Sequence, residues 1–583
     1  MFTRFVARLV ALSMVCALLL APIGLQAEDA KIKPIFISSF APVDELFADF
    51  DYMAGVFEAQ DGAKMARQLV GPYLGGIDRK RPSGGYVLAN GEGEPIVVLF
   101  VPVNSLKVEL EILEGLIGKG EELADGVIKF VEPAGAGDEA APGAKGAEAA
   151  KPTEFFVKEK NRWAFISTSP ANLQNLPADP IALLDGLDKK YDIGQRILFE
   201  NIDGQERQQL IDEIKKQIAE SRALPAEEGV PELSPEWQAA IEQTILKYAA
   251  GMKSLDYGLT IDSKLRNVAL SLSVEPIADS ELAKTLASVQ TLSSNHSGVL
   301  LSRAAVLVHR AAKFPKEDIG LWDQFAKQLI DDAPADGAAP IENEAMAKEG
   351  KELGEKIIKA MHADGDVEWG GSVVISDDGK VLMLAGAHFA DVKGLEAAVR
   401  EFWTKYQDDP SLKSAKIEWD FAKHGEVRII KLTPPDSVPR NEKLVGADPA
   451  TYYAIDGNFV YMASGNQCLK QLKDAIDRSA ARPNFKVAPF RQRVDIEPIV
   501  RMAIKQTEIE SPTVERLLRK LADAPGKTGI NINLLPSKAG LEGRLEIDEA
   551  LLSTAPEVGE LIWQAILKAS EPMAEPLAAP RVE

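Results

Sequence analysis

His296, His309, His362, His388 and His424 supply every imidazole of this 583-residue chain, and all five stand beyond its midpoint. No two are three or four residues apart, the spacing at which one helix face offers a pair of nitrogens to zinc. Neither His-Glu-x-x-His nor Gly-x-Ser-x-Gly occurs. Gly526-Lys527-Thr528 ends like a phosphate-binding loop, but Leu521 stands where that loop needs its first glycine. Gly135-Ala136-Gly137 lacks the third glycine of a dinucleotide fingerprint, because position 140 is Ala140. Asp49-Phe50-Asp51 with Gly55 and Glu58 has the outline of a calcium loop. Met53 takes the place of an oxygen ligand there, and Phe47, Phe50, Val56 and Phe57 read as an amphipathic helix. Cys468 opens a helix, a position that activates thiols, yet Leu469 beside it is the core position. With 88 Asp and Glu residues, close acidic pairs arise by number alone and nominate no general acid or base. The expectation is a chain with no catalytic residues, no cofactor and no metal ligands.

Aromatic residues offer a different chemistry, the enclosure of an apolar ligand such as a lipid. Phe155, Trp163, Phe165, Tyr452, Phe459 and Tyr461 are the candidate lining. Alternation along a strand puts only about half of such a set on any one face, and core packing accounts for them equally well.

The elements that carry these residues come in pairs. Asn161-Arg162-Trp163-Ala164-Phe165-Ile166-Ser167 is echoed by Gly457-Asn458-Phe459-Val460-Tyr461-Met462-Ala463, 296 positions on (161 to 457), with leucines following each. Hairpin signals stand at Tyr86–Phe100 and Ser372–Leu384, each followed by a helix, at Ser105–Leu116 and Asp391–Tyr406. Strands Val127–Val131 and Val427–Leu432 lead to hairpins at Phe155–Ile166 and Tyr452–Met462, the latter with Asp456-Gly457 as a type I′ pair. Helical turns follow at Pro170–Leu176 and Asn466–Arg478. Helices at Gln205–Ser221 and Pro235–Met252 correspond to Pro498–Thr507 and Pro512–Ala522. Strand pairs Leu255–Ile261 with Asn267–Val274, and Gly529–Leu535 with Gly540–Ile547, close each half. The expected fold is α+β: two homologous tandem domains of antiparallel sheet packed with amphipathic helices. They would span 28–290 and 291–570, with a disordered loop at 133–152, a flexible linker at 331–345 and a disordered tail at 571–583.

Val43–Tyr52, Gly76–Gly84, Phe156–Phe165 and Leu187–Asp192 resemble a group of uncharacterised exported proteins of planctomycete-type bacteria. The resemblance covers most of the first half and is weaker in the second. It implies export and a duplicated α+β architecture, and brings no activity or catalytic residues with it.

Residues 1–27 read as a secretory signal: Arg4 and Arg8, an apolar run from Leu9 to Leu20, and Leu25-Gln26-Ala27 before Glu28. The run is shorter than the ~20 residues of a membrane span. Cleavage would leave Cys468 without a partner cysteine and move the net charge from −22 to −24 by removing Arg4 and Arg8. So acidic a surface repels nucleic acid. The chain is therefore expected in the periplasm or outside the cell, as a non-enzymatic binding or structural protein. Its partner would be an envelope protein or an apolar ligand.

Overall fold

A computed structural model describes residues 33–557, except 90–94, 132–153, a broken run within 203–234, 290–291, 314–342, 437, 439–440, 508–511, 523–527, 538–539 and 555. The signal at 1–27, the loop at 133–152, the tail at 571–583 and most of Gln205–Ser221 lie outside the described residues. So does most of the linker at 331–345, but its last residues belong to a helix, Glu344–Ala360, whose N-cap Asn343 accepts from Met346 N.

The strands of the first half are β1 (Pro34–Phe40), β2 (Ser83–Leu88), β3 (Ile96–Pro102), β4 (Glu121–Glu122), β5 (Val127–Val131), β6 (Glu154–Lys160), β7 (Trp163–Ser167), β8 (Ile193–Leu198), β9 (Met252–Asp262) and β10 (Asn267–Pro276). The second half has β11 (Leu292–Ser294), β12 (Val306–Lys313), β13 (Asp366–Ile375), β14 (Val381–His388), β15 (Lys416–His424), β16 (Val427–Thr433), β17 (Thr451–Asp456) and β18 (Phe459–Gly465). It continues with β19 (Phe485–Val487), β20 (Phe490–Asp495), β21 (Gly529–Pro536) and β22 (Leu541–Asp548). β11 and β19 pair only with each other. The remaining 20 form one antiparallel sheet in the order β4-β5-β6-β7-β3-β2-β1-β8-β9-β10-β22-β21-β20-β12-β13-β14-β18-β17-β16-β15. The seam is β10 against β22, paired from Asn267–Asp548 to Val274–Leu541. Outward from the seam, both sides run through their strands in the same connectivity.

With helices packed on an antiparallel sheet, the fold is α+β. Leu106–Ile117 is capped by Ser105 and Val392–Tyr406 by Asp391, whose side chains accept from the third residue on. Pro170–Leu173 is a single 3₁₀ turn, shorter than the helical turn expected there. The type I′ geometry expected at Asp456-Gly457 is found instead at Asn161-Arg162, where φ is 54° and 61°. The second-half loop is Gly457-Asn458, and only Gly457 is left-handed, at φ 59°. Among the described residues no helix is long and apolar enough to cross a membrane.

Two aromatic cores occupy equivalent places. The first gathers Tyr86, Val98, Phe100, Trp163, Phe165, Leu173, Leu184 and Leu187; the second gathers Leu384, Ile429, Tyr452, Phe459, Tyr461, Leu472 and Ala475. Between them lies the centre of the sheet, the seam and its flanking strands.

Candidate functional site

The five strands at the seam are two-faced, because successive side chains of a strand point to opposite sides. On one face, register aligns Ile193, Leu259, Leu270, Leu545 and Ile532 in one row, and Gln195, Tyr257, Leu272, Gly543 and Leu534 in the next. Further rows add Ile261, Val268, Ile547 and Ile530 on one side, and Ile197, Leu255, Val274 and Leu541 on the other. No side chain in these rows is charged. The opposite face of the same strands is polar: Arg196 forks onto Asp256 at 2.7 and 2.9 Å, and Arg544 Nε donates to Glu546 at 2.8 Å. Tyr191 lies flat against that polar face, which is why Gly258 must be glycine: a Cβ there would stand 2.2 Å from the Tyr191 ring. Beside it Lys190 reaches across the seam to Glu542 at 3.0 Å.

The uncharged face forms an open trough of about 430 Å³. Its floor is Tyr257, Leu259, Leu270, Leu272, Leu545 and Ile532. Leu270 and Leu272 remain 51% and 47% exposed. Each half contributes one part of this floor, and the seam runs through its middle. Side chains of this size left in water at the centre of a sheet make a contiguous exposed apolar patch.

The six aromatic candidates stand elsewhere, and none lines the trough. Trp163 and Phe165 pack on Phe100 with ring centroids 5.6 and 6.5 Å away. Tyr452, Phe459 and Tyr461 are buried in the second core, and Phe155 stacks on Phe130 at 5.3 Å. Strand alternation turned Trp163, Phe165, Tyr452, Phe459 and Tyr461 into the two cores, and set the partly buried Phe155 on the opposite face of its sheet.

A second gathering of polar groups sits at the end of the second core. The sheet brings His309 on β12 and Glu368 on β13 to one face, and the end of β11 and the residues after it lay Ser294 and His296 over them. Ser294 donates its hydroxyl to Glu368, and His296 N donates to Ser294 Oγ at 2.9 Å. His309 Nε2 is 3.9 Å from Glu368, too far for a hydrogen bond. His296 stacks on Phe459 at 4.0 Å, 2° from parallel, with Asp456 at 3.9 Å from its Nε2. His388 Nε2 lies 2.9 Å from Asp364. Burial holds the His296 imidazole below its ordinary pKa. At Glu368, burial pushes the pKa up, but the Ser294 hydroxyl and the nearby histidines outweigh it and leave the carboxyl below its ordinary range. Ser294 gives its hydroxyl proton to a carboxylate, so this arrangement straps the end of β11 to the sheet. The spacing of these residues along the chain conceals a grouping that only the register of β12 with β13 creates.

Cys468 is buried, its Sγ 3.6 Å from Ala450 O, and burial pushes the thiol pKa up. Asp49 lies on the helix Val43–Val56; burial, then Asp192, Glu45 and Asp262, push its carboxyl up to about 7. Gly526 and Lys527 lie outside the described residues, and Thr528 donates to Asp495. Among the described residues no cluster of His, Cys, Asp and Glu is arranged to hold a metal ion.

The trough went unread in the sequence, although its signal was present. Leu255–Ile261, Asn267–Val274, Ile530–Leu534 and Leu541–Ile547 all alternate apolar with polar residues. What the sequence does not display is that the two pairs adjoin. No protein-family model matches the chain, and no curated protein or solved structure matches it.

Proposed function

We propose that this chain is an exported, non-enzymatic binding protein that carries an apolar ligand in the trough at the seam. The observation that carries this reading is the trough itself: an uncharged, leucine-rich floor of about 430 Å³, open to the surface at the middle of the sheet. A volume of this order lies within the range of small-molecule sites. The two halves are a tandem duplication on this reading, supported by their common strand connectivity and by the repeated hairpin phrases. Residues 1–27 and the resemblance to exported planctomycete-type proteins support a place in the periplasm or outside the cell.

Native mass spectrometry of the mature protein, isolated from the envelope fraction without detergent, tests the proposal. A discrete mass released on denaturation is expected, together with an N-terminus at Glu28. A species at the mass of the bare chain, with no ligand taken up on incubation with a lipid extract, would overturn the carrier reading.

A further inference from the structure

Glu368 stands between two groups that reach for one oxygen. Ser294, the last residue of β11, donates its hydroxyl to Glu368 Oε1, and His309 Nε2 faces the same oxygen from β12 at 3.9 Å. That gap is about 1 Å beyond a hydrogen bond. His309 is only 3% exposed, and among the described residues its Nε2 has no hydrogen-bond partner. A buried nitrogen left so carries its desolvation cost, and the cost grows when the ring is protonated and Nε2 must donate. We propose that Glu368 is a two-position latch. Its carboxylate holds Ser294 while His309 is neutral, and shifts to His309 when that ring is protonated, freeing the end of β11.

β11 is three residues long and pairs only with β19, so the Ser294–Glu368 bond ties that ribbon to the main sheet. Ser294 Oγ also accepts from His296 N, so the same hydroxyl seats the imidazole that caps Phe459. The surrounding charges leave the choice to Glu368. Arg491 stands opposite His309 on β20 and opposes a second positive charge there. His296 faces Glu368, with Asp456 3.9 Å from its Nε2; His388, which also faces His296, is engaged by Asp364 at 2.9 Å. Lys313 and Asp366, one row beyond Glu368, pair with each other at 2.9 Å. Arg478 donates to Gly298 O at 3.1 Å. No lysine or arginine pairs with Glu368 among the described residues, so its carboxylate is free to answer His309.

The experiment follows ring signals of the full mature chain labelled with carbon-13 histidine, His309 being the one that His309→Gln removes. Because the two bonds exclude each other, removing one strengthens the other. Ser294→Ala is expected to raise the midpoint of the His309 titration by about one pH unit, a tenfold gain in proton affinity. Glu368→Gln is expected to lower that midpoint and to leave Ser294→Ala without further effect, which a mere loosening of the segment would not do. A His309 midpoint that does not rise in Ser294→Ala, or that rises equally in the Glu368→Gln background, overturns the latch. Amide exchange of Leu292–Ser294, corrected for intrinsic rates, is expected to quicken about tenfold between pH 7 and pH 5, and less in His309→Gln. A quickening that is absent, or that His309→Gln leaves unaltered, overturns it as well.

Discussion

In the first half, Ser39, Gly84, Phe100 and Phe165 stand side by side across β1, β2, β3 and β7. In the second, His309, Gly370, Gly386 and Tyr461 hold the same four places across β12, β13, β14 and β18. Phe100 fills the space over Gly84 and meets Trp163 edge-on, and the Arg81 guanidinium caps Trp163 at 3.9 Å. Where Phe100 is replaced by Gly386, the Phe459 ring moves over the glycine, and the His296 imidazole caps it instead. One connectivity thus accepts two plugs, one closed by a permanent cation and the other by an imidazole whose pKa burial holds below its ordinary value. The difference places a titratable cap on the second core where the first has a cap of fixed charge.

The strongest test of the equivalence is truncation of the two capped rings. Trp163→Ala and Phe459→Ala are each expected to cost about 3–5 kcal/mol in chemical denaturation, since both rings are almost wholly buried. A loss under 1 kcal/mol for either one would mean that its plug is not a core element.

Adding a methyl at the two glycines separates the plugs more finely. A Cβ at Gly84 would lie 2.4 Å from the Ser38 carbonyl oxygen, whereas at Gly386 the nearest atoms belong to the Phe459 ring. Both substitutions to Ala are expected to destabilise by about 1–3 kcal/mol, Gly84→Ala the more, because a ring gives way more readily than backbone. Combining Gly386→Ala with Phe459→Leu is expected to recover part of the loss; no recovery would place the strain elsewhere.

The smallest effect is the most diagnostic, a pH response of opposite sign in the two halves. His296 has a depressed pKa, so its contribution is present above the ordinary 6.5 and is lost as the pH falls through the folded value. Glu368, held below 4.5, adds to the loss under stronger acid. Asp49 is raised from 3.8 to about 7, so its contribution is present in acid and is lost as the pH rises through 7. Hydrogen exchange at pH 7 and pH 5, corrected for intrinsic rates, is expected to show Ser294–Val299 losing protection in acid while Val43–Val56 gains it. His296→Phe and Asp49→Asn are expected to flatten the respective responses, and parallel shifts in both segments would break the contrast.

Much of this plan was legible from local pattern. Pro512–Ala522 falls where helical periodicity put it, and Leu106–Ile117 and Val392–Tyr406 begin just after the capping residues that announce them. Hairpins announce themselves too, because turn and strands are neighbours in the chain. β1, β8, β12 and β20 went unread, since each pairs with strands far away and carries no turn beside it. The histidine grouping and the trough were missed for the same reason: both are products of register between distant strands.

The seam between β10 and β22 also governs what the molecule does in company. Each of these strands, were its half alone, would present an open ladder of amides ready to recruit a copy of itself. Joined, they hide each other, and the growth of the sheet is left to its outermost strands. One of these is β4, two exposed glutamates long; the other is β15, which carries Lys416, Glu418, Asp420 and Lys423. A strand arriving at either end meets charge or almost no ladder at all, which disfavours edge-to-edge growth of the 20-stranded sheet.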